Sequence, residues 1–482
     1  MSISVSKNIQ ATRSISEHFE STLASIAAQA GPALSPLSPL SHLAIAYSGG
    51  LDSTVLLHVA ARYAAAQGIT LFAFHVHHGI SANADHWLAH CAEQCAALGV
   101  TFDSRRVALR DSDKSGVEEA ARIGRYAALG AMCSEHQVPL LLTAHHLDDQ
   151  AETVLLQLLR GSGAAGLSGM DSWNAAPDLL GHADLLMARP LLKVSRAALE
   201  SYAAAEQLAY VEDESNHDPR YARNALRQQV MPVLAQYFPG FQERFTRSAG
   251  HMQSTQKLVV ELAEQDMAAC ADGECIDLER LRQLNPERID NLLRYWFGLH
   301  GLRMPSSAWL SEMRQQLLEA KADAQLCVTH PDCHIRRHRN RVFLTPRDDT
   351  DRSEVEPRAF RWNGETEMRF AEFGGVMHFE PAEQGVDAAW LREQPLQIQY
   401  RSGGERLKLA FNRPTKSIKY HYQACDIPAW ERECLPLVSN GKQILFAAGI
   451  GFDCHCLATG AGPHIALRWQ ADPLPMRKDA RR

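Results

Sequence analysis

Short apolar runs alternate with stretches of helical hydrophobic spacing along the first third of the chain. The runs are LAIAY from Leu43, TLFAFHVHHG from Thr70, VTFDSRRV from Val100 and VPLLLTAHH from Val138. Each predicts a buried strand, and the segment after it predicts a helix, the last one ending at Gly161. Strands and helices that alternate at this pitch are typical of an α/β domain, a parallel sheet covered by helices on both faces.

The rest of the chain changes pattern twice. Residues 8–30 predict one helix before a Pro- and Ser-rich linker, and a glycine-rich connection follows Gly161. Residues 240–320 are mostly helical in pattern, 325–380 strand-like, and the last hundred residues contain short strands and turns. We therefore predict an N-terminal extension (1–40), an α/β catalytic domain (41–235), a mainly helical middle domain (240–380) and a small α+β C-terminal domain (385–482).

Composition narrows the cellular setting more than the function. The 482 residues carry a net charge of -7, so any anion-binding surface must come from local clusters of Lys and Arg. Eleven cysteines, an odd number without regular spacing, favour a reducing compartment over a disulfide scaffold. Neither a signal peptide nor a membrane span is visible in the sequence, and we expect a cytoplasmic protein.

The segment Ser48-Gly49-Gly50-Leu51-Asp52-Ser53 joins the first strand to the first helix of the sheet. Glycines let backbone amides turn toward an anion, and the helix dipole favours negative charge at this end. No Gly-Lys-Ser/Thr follows, so the loop differs from the common P-loop. Asp52 would repel phosphate, so we assign it to a magnesium ion or to capping the helix.

Two more segments come to the same sheet edge. In HVHHG, strand alternation sends His75 and His77 to one face, which favours lining a nucleotide or substrate over a zinc site. In TAHHLDDQAET, the side chains of His145, Asp149 and Glu152 fall near one face of the predicted helix start. Placed at a strand's carboxyl end, they could position magnesium, a nucleotide or a proton acceptor, whereas helix capping alone needs fewer acids.

Arginines follow at two places. Arg122 and Arg125 lie three residues apart, beside Glu118, where a surface ion pair is the simpler interpretation. The segment DESNHDPRYARNALR offers Asn216, Arg223 and Arg227, and its arginines suit phosphate or a solvated helix face equally well.

Taken together, these segments resemble a known family. Ser-Gly-Gly-x-Asp-Ser on a strand–helix turn is similar to the PP-loop of N-type ATP pyrophosphatases, whose fold is adenine nucleotide alpha hydrolase-like. HVHHG, TAHHLDDQAETVLLQLLRGSGAAGL, ARPLL, EDESNHDPRYARNALR and the tail segments RSGGERLKL and AAGIGFD, in this order, resemble the tRNA(Ile)-lysidine synthetases. The resemblance covers most of the chain from Leu43 onward.

That resemblance implies a ligase that converts the wobble cytidine of a CAU-anticodon isoleucine tRNA into lysidine, so that the tRNA reads AUA instead of AUG. Its substrates would be ATP with Mg²⁺, free L-lysine and the tRNA, and its intermediate an adenylated cytidine. It further implies ATP binding by Ser48, Gly49, Gly50, Leu51, Asp52 and Ser53, magnesium near Asp52, and active-site roles for His145, Glu152, Asn216, Arg227 and either Arg122 or Arg125. Glu152 or His145 is the candidate for taking the lysine proton.

The C-terminal segment RSGGERLKLAFNRPTKSIKYHY is strongly basic. Its cations are predicted to bind the tRNA backbone, through Arg401, Arg406, Lys408, Lys416 and Lys419. IRRHRNR, from Ile335, is a second candidate contact. The family resemblance also favours a homodimer, and no membrane partner is expected.

Two other functions fit parts of the sequence. A tRNA thiolase would share the loop, but would need a Cys-x-x-Cys pair, absent here, or a catalytic cysteine such as Cys91 or Cys133. A catalytically inactive tRNA-binding protein would not need the intact loop, His145, Glu152 and Arg227.

Overall fold

The structure is a computed structural model of the whole chain. It describes residues 2–29, 40–77, 79, 83–107, 117–212, 220, 222–321, 326–347, 355–458 and 462–472. The chain divides into two compact units, Met1–Leu258 and Val259–Arg482, which are described separately below.

The first unit is built around a six-stranded sheet. Its strands are β1 (His42–Ala46), β2 (Thr70–His77), β3 (Thr101–Arg106), β4 (Leu140–Leu142), β5 (Trp173–Ala175) and β6 (Leu186–Ala188). The order across the sheet is β3-β2-β1-β4-β6-β5, and every neighbouring pair is parallel except β5 with β6. The predicted parallel α/β sheet is thus confirmed, with one antiparallel strand at its edge.

Helices cover this sheet. They are α1 (Ser2–Gln29), α2 (Leu51–Gln67), α3 (Ala84–Leu98), α4 (Val117–Glu135), α5 (Leu147–Leu159), the short α6 (Ala164–Leu167) and α7 (Pro177–Leu180), α8 (Arg196–Ala205), α9 (Ala222–Ala225), a π-helical turn (Leu226–Val230) and α10 (Met231–Tyr237). The helix predicted over 8–30 is longer, and its Ile15, Phe19, Leu23 and Ile26 are buried in the same core as β1 and α2. The N-terminal segment therefore contributes to the core of the six-stranded sheet rather than forming a separate extension.

A 30-residue helix, α11 (Phe241–Cys270), contains the boundary between the two units. The second unit continues with β7 (Ala271–Asp272), β8 (Cys275–Asp277), α12 (Leu278–Leu281), α13 (Pro286–Leu299), α14 (Ser307–Glu319), β9 (Cys327–Thr329), β10 (Cys333–His338) and β11 (Arg341–Pro346). The strands form one sheet in the order β7-β8-β11-β10-β9. One core of apolar residues from these helices and strands, including Leu292, Phe297 and Ile335, lies between them.

The C-terminal part is made of short strands in small sheets. Its elements are β12 (Arg358–Phe360), β13 (Glu367–Phe370), β14 (Gly375–Ala382), β15 (Val386–Asp387), α15 (Ala388–Glu393), β16 (Leu396–Gln399), β17 (Arg406–Leu407), β18 (Lys416–Ser417), α16 (Ile418–Ala424), α17 (Ala429–Arg432), β19 (Leu437–Asn440), β20 (Gln443–Ala447), β21 (Gly451–Phe452) and β22 (His464–Ala471). The sheets β12-β16-β19-β20-β21 and β13-β14-β22-β15 share one core, and β17-β18 forms a small ribbon. Among the described residues, no helix is both long and apolar enough to cross a bilayer.

Candidate active site

The loop after β1 is shaped by close packing behind it. Gly49 has φ +85°, and a Cβ built on it would lie 2.8 Å from the Cys91 Sγ and 3.1 Å from a methyl group of Val211. The Val211 amide donates to the Gly49 carbonyl oxygen at 2.9 Å. Only glycine fits this position without strain, because both its backbone conformation and its surroundings exclude a side chain.

The helix that follows the loop has an amino end suited to an anion. Gly50 is the N-cap of α2, and no side chain of the described residues caps it. Its free amides and dipole therefore favour a negatively charged ligand. Two hydroxyls tie the loop together, since the Ser48 Oγ lies 3.0 Å from the Ser53 Oγ and the Ser53 hydroxyl donates to the Gly50 carbonyl at 2.9 Å.

Asp52, at the start of the same helix, lies beside Arg196 and His146. An Arg196 guanidinium nitrogen donates to its Oδ2 at 2.7 Å, and the His146 Nε2 lies 3.7 Å from that oxygen. The other oxygen, Oδ1, is buried and has no hydrogen-bond partner in the described part of the chain. Burial raises the pKa of Asp52, against the opposing effect of His146 and Arg196. A cation that binds Oδ1 would relieve an unfavourably buried carboxylate oxygen.

His145 and His146 follow β4, at the edge predicted from the sequence. The His145 Nδ1 lies 2.9 Å from the Thr143 hydroxyl, and burial lowers the pKa of His145 to about 4. Its imidazole is therefore neutral near pH 7. His146 is buried beside three carboxylates, those of Asp52, Asp148 and Asp149, each within 3.7 Å of a ring nitrogen.

Glu152 and two arginines form a network beside these histidines. Glu152 is buried, and its carboxylate accepts from the Nε of Arg223 at 2.8 Å and from the Nε of Arg227 at 2.6 Å. Arg227 also donates to Asp149 at 2.9 Å. Because Arg227 lies in the π-helical turn Leu226–Val230, it has an irregular backbone of a kind frequent at functional sites.

The charges around Asp149 settle its protonation state. Burial alone would raise the pKa of Asp149, but His146, Arg223 and Arg227 hold it at about 2. The site therefore keeps an ionised carboxylate among its arginines at any physiological pH.

The two candidate arginines, Arg122 and Arg125, both lie on α4. Both side chains are exposed. The Arg122 guanidinium lies 5.5 Å from the ring centre of Tyr126. The pKa of the buried Arg189 is lowered mainly by burial and additionally by the positive charge of Arg122. Arg189 follows β6 and acts in the same way on His145. Arg189 therefore lies near both Arg122 and His145.

Other predicted residues lie elsewhere. His75 contacts the Tyr47 carbonyl at 2.9 Å and His77 contacts Asp85 at 3.2 Å, so both rings have protein partners. Burial lowers the pKa of His75, against the Tyr47 hydrogen bond. Asn216 lies outside the described residues.

Comparisons with known proteins now add to this geometry. Three family models match the chain: a PP-loop domain over residues 15–234, a TilS substrate binding domain over 276–343 and a TilS substrate C-terminal domain over 396–469. A protein named tRNA(Ile)-lysidine synthase from Ralstonia nicotianae is 42% identical over 443 residues, which are 88% of this chain and 92% of the relative.

The chain belongs to the tRNA(Ile)-lysidine synthase family. A relative of that name from Burkholderia pseudomallei is 41% identical, over 92% of this chain and 96% of its own length. Another, from Alkalilimnicola ehrlichii, is 38% identical, over 87% of this chain and 92% of its own length. Among solved structures, a U34-tRNA thiolase from Methanococcus maripaludis matches 44% of this chain and 72% of its own at 18% identity and a TM-score of 0.36. The family and the PP-loop fold predicted from the motifs are confirmed.

The cysteines do not favour the chemistry of a thiolase. Cys91 packs against the loop, yet burial raises the pKa of its thiol, and that of Cys133, to about 12. A thiol that stays protonated is a poor nucleophile. All eleven cysteines are described, and all are free thiols.

In the C-terminal domain of this lysidine synthase family member, the predicted cations have different surroundings. Arg406, Lys416 and Lys419 are exposed on β17, β18 and α16, with Lys416 5.2 Å from the ring centre of Tyr420. Arg401 lies over the Tyr422 ring and Lys408 is half-buried. In IRRHRNR, by contrast, Arg337 is buried and donates to the Ala320 carbonyl at 2.6 Å, so this residue is a structural one.

Three site residues escaped the sequence analysis. These residues are His146, Arg196 and Arg189, and each reaches the site through a strand end or a helix start. Two signals were available for them: the second histidine of the HH pair, which follows a strand and precedes a helix, and the segment ARPLL, which contains Arg189.

Proposed function

We propose that this protein ligates the ε-amino group of free lysine to C2 of the wobble cytidine in a CAU-anticodon isoleucine tRNA. The observation that carries the proposal is one sheet edge that combines an anion-binding loop at Ser48–Ser53 with the network of Glu152, Arg223 and Arg227. The loop can bind the departing pyrophosphate, and the arginines of the network can bind the phosphate of an adenylated base. The names of the relatives support the same activity.

The reaction proceeds in two steps. The cytosine oxygen on C2 attacks the α-phosphorus of ATP, and pyrophosphate leaves; the lysine amine then attacks C2 and expels AMP. The loop amides and the Ser48 and Ser53 hydroxyls hold the phosphates. A wobble base is unpaired, so it can enter a pocket that a paired base cannot reach.

Magnesium fits the carboxylates beside the loop. The Oδ1 of Asp52, which has no hydrogen-bond partner among the described residues, is a hard oxygen donor of the kind this ion prefers, and Asp149 on α5 is ionised nearby. When bound, the ion would offset the negative charge of the phosphates. Arg196, which donates to the Oδ2 of Asp52, would keep that carboxylate turned toward the loop.

The proton of the lysine amine goes to His145 in this proposal. Free lysine arrives as an ammonium with a pKa of about 10.4, and it loses one proton to solvent before its nitrogen can bond to C2. The bonded nitrogen is far more acidic and releases a second proton. His145 is neutral, so one of its ring nitrogens can accept that proton. Both oxygens of Glu152 already accept hydrogen bonds, so we assign it to positioning Arg223 and Arg227. Of the two α4 arginines, Arg122 is our choice.

The remaining expectations extend the proposal to the whole chain. Arg401, Arg406, Lys408, Lys416 and Lys419 would contact tRNA phosphates. Eleven free thiols are consistent with work in the cytoplasm, and a homodimer remains the expected assembly.

The test is incubation with ATP, labelled lysine and an unmodified CAU-anticodon transcript. We expect label in the tRNA, with AMP and pyrophosphate formed in equal amounts; absence of lysine transfer would refute the proposal. Asp52→Ala should stop pyrophosphate release while tRNA binding survives. Asp184→Ala, an exposed carboxylate after α7, is the matched control.

A further inference from the structure

Two neighbouring grooves lie in the C-terminal domain and share Gln443. The first, of about 340 Å³, is lined by Trp390, His455 and Asp387 and is called the aromatic groove below. The second, of about 460 Å³, is lined by Arg406, Lys442 and Ser439 and is called the cationic groove. Because Gln443 lines both grooves, a single nucleotide can reach from one to the other.

The aromatic groove offers rings and hydrogen-bonding groups together. Trp390 is 37% exposed. The exposed ring of His455 packs edge to face against the ring of Phe411, which is 64% exposed, with 5.3 Å between the two ring centres. Asp387 and Gln443 add polar atoms to this lining. Exposed flat rings beside amide and carboxylate groups match a nucleobase, which stacks by its face and hydrogen-bonds by its edge.

The cationic groove has two cationic side chains in its lining, Arg406 and Lys442. Ser439 also lines it, but this residue is 1% exposed and its hydroxyl is buried below the surface, so a phosphate in the groove would contact the two cations. Lys442 is exposed in the turn between β19 and β20, where Gly441 has φ +59°.

Two carboxylates also line the cationic groove, and backbone amides bind both. Glu405 accepts from the amides of Ser402 at 2.7 Å and Gly403 at 2.8 Å. Asp453 accepts from the amides of Lys408 at 2.9 Å and His455 at 3.0 Å. Because these amides offset much of the carboxylate charge, Arg406 and Lys442 are the groups left for an anion.

We propose that the two grooves together bind one unpaired nucleotide of the tRNA, the base in the aromatic groove and its phosphate in the cationic groove. The proposal rests on the proposed function only in taking the nucleotide from a tRNA. A free nucleotide has the same chemistry, and the experiment separates the two sources.

The experiment measures the affinity of the full-length protein for unmodified CAU-anticodon tRNA by fluorescence anisotropy, which does not depend on catalysis. Trp390→Ala should raise Kd about 5- to 150-fold, the range for one stacked base. Trp390→Phe keeps a ring and should stay within about threefold of the unaltered protein. Lys442→Ala should lower the salt slope of binding by about one, while the exposed control Lys321→Ala should not.

The outcomes decide the proposal independently of lysine transfer. Unchanged Kd in Trp390→Ala, or equal loss in Trp390→Phe, would overturn it, since stacking would then contribute nothing. If labelled AMP binds the unaltered protein but not Trp390→Ala, and tRNA does not compete with it, the grooves serve free nucleotides and the assignment to tRNA fails. In active enzyme, the expected signature of Trp390→Ala is a raised KM for tRNA with unchanged kcat.

Discussion

Replacement of Glu152 by glutamine tests whether this carboxylate positions the arginines or takes a proton. The carboxylate accepts three hydrogen bonds from Arg223 and Arg227, at 2.6 to 2.9 Å. Charge-assisted bonds are worth about 1.5–3 kcal/mol each, but the guanidiniums are 37% and 39% exposed. Screening by solvent reduces the contribution of each bond to about 1 kcal/mol. Glutamine keeps one acceptor oxygen but loses the charge that strengthens all three bonds, which should lower the local stability by about 2 kcal/mol.

The assay is native-state hydrogen exchange, which reports the free energy of opening locally in a chain with two units. Amides of α5 and of the π-helical turn should exchange at an opening free energy about 2 kcal/mol lower in Glu152→Gln. Lysine transfer should fall about 100-fold, because the guanidiniums lose their orientation. In the Arg227→Met background the same replacement should cost less, since one partner is already absent.

One result would refute this reasoning. If α5 opens within about 0.5 kcal/mol of the unaltered protein while lysine transfer is lost, the carboxylate does not hold the arginines in place. Glu152 would then be the proton acceptor, and His145 would lose that role.

Three further outcomes are expected. Acidification from pH 6.5 to about 4 should destabilise the first unit by up to about 3 kcal/mol, because His145 takes up a proton in the unfolded chain but stays neutral in the folded one. In a titration of the unfolding free energy against pH, His145→Asn should remove this contribution of His145. Gly49→Ala should abolish ATP binding measured by calorimetry and lower the melting temperature, because its Cβ meets Cys91. Gly50→Ala has φ -72° and its nearest protein atom at 3.6 Å, so it should leave the melting temperature unchanged. Arg337→Met should lower the free energy of unfolding by about 2–4 kcal/mol, because it removes a buried hydrogen-bonded cation. The Kd for tRNA, measured at about 10 °C where the protein is most stable, should stay unchanged, whereas loss of an exposed phosphate contact would raise it.

The sheet and its loop could be predicted because their causes are local. Apolar runs followed by helical spacing define β1 to β4 and the helices after them, and Gly49 and Gly50 mark the turn between strand and helix. Parallel strands bring their carboxyl ends to one edge, which places His145 near the loop without any knowledge of side-chain contacts.

The partners inside the site were less predictable, because they depend on tertiary packing. Arg196 reaches Asp52 across 144 positions of sequence, and nothing in SRAALE distinguishes it from a solvated helix start. Arg223 seemed equally suited to solvent, yet it donates to a carboxylate that is almost fully buried. Charged side chains on a helix reveal their partners only when the opposing surface is known.

The hydrogen bond from Val211 to Gly49 has a consequence for synthesis of the protein. The loop that would hold ATP lies near the amino terminus, but the amide that supports it, and β6 in the interior of the sheet, come much later in the chain. A ribosome-bound chain that ends before Val211 therefore lacks part of the wall behind Gly49. Nucleotide binding should begin only once this segment has emerged and docked, so ATP can stabilise the finished domain but cannot template its earlier folding.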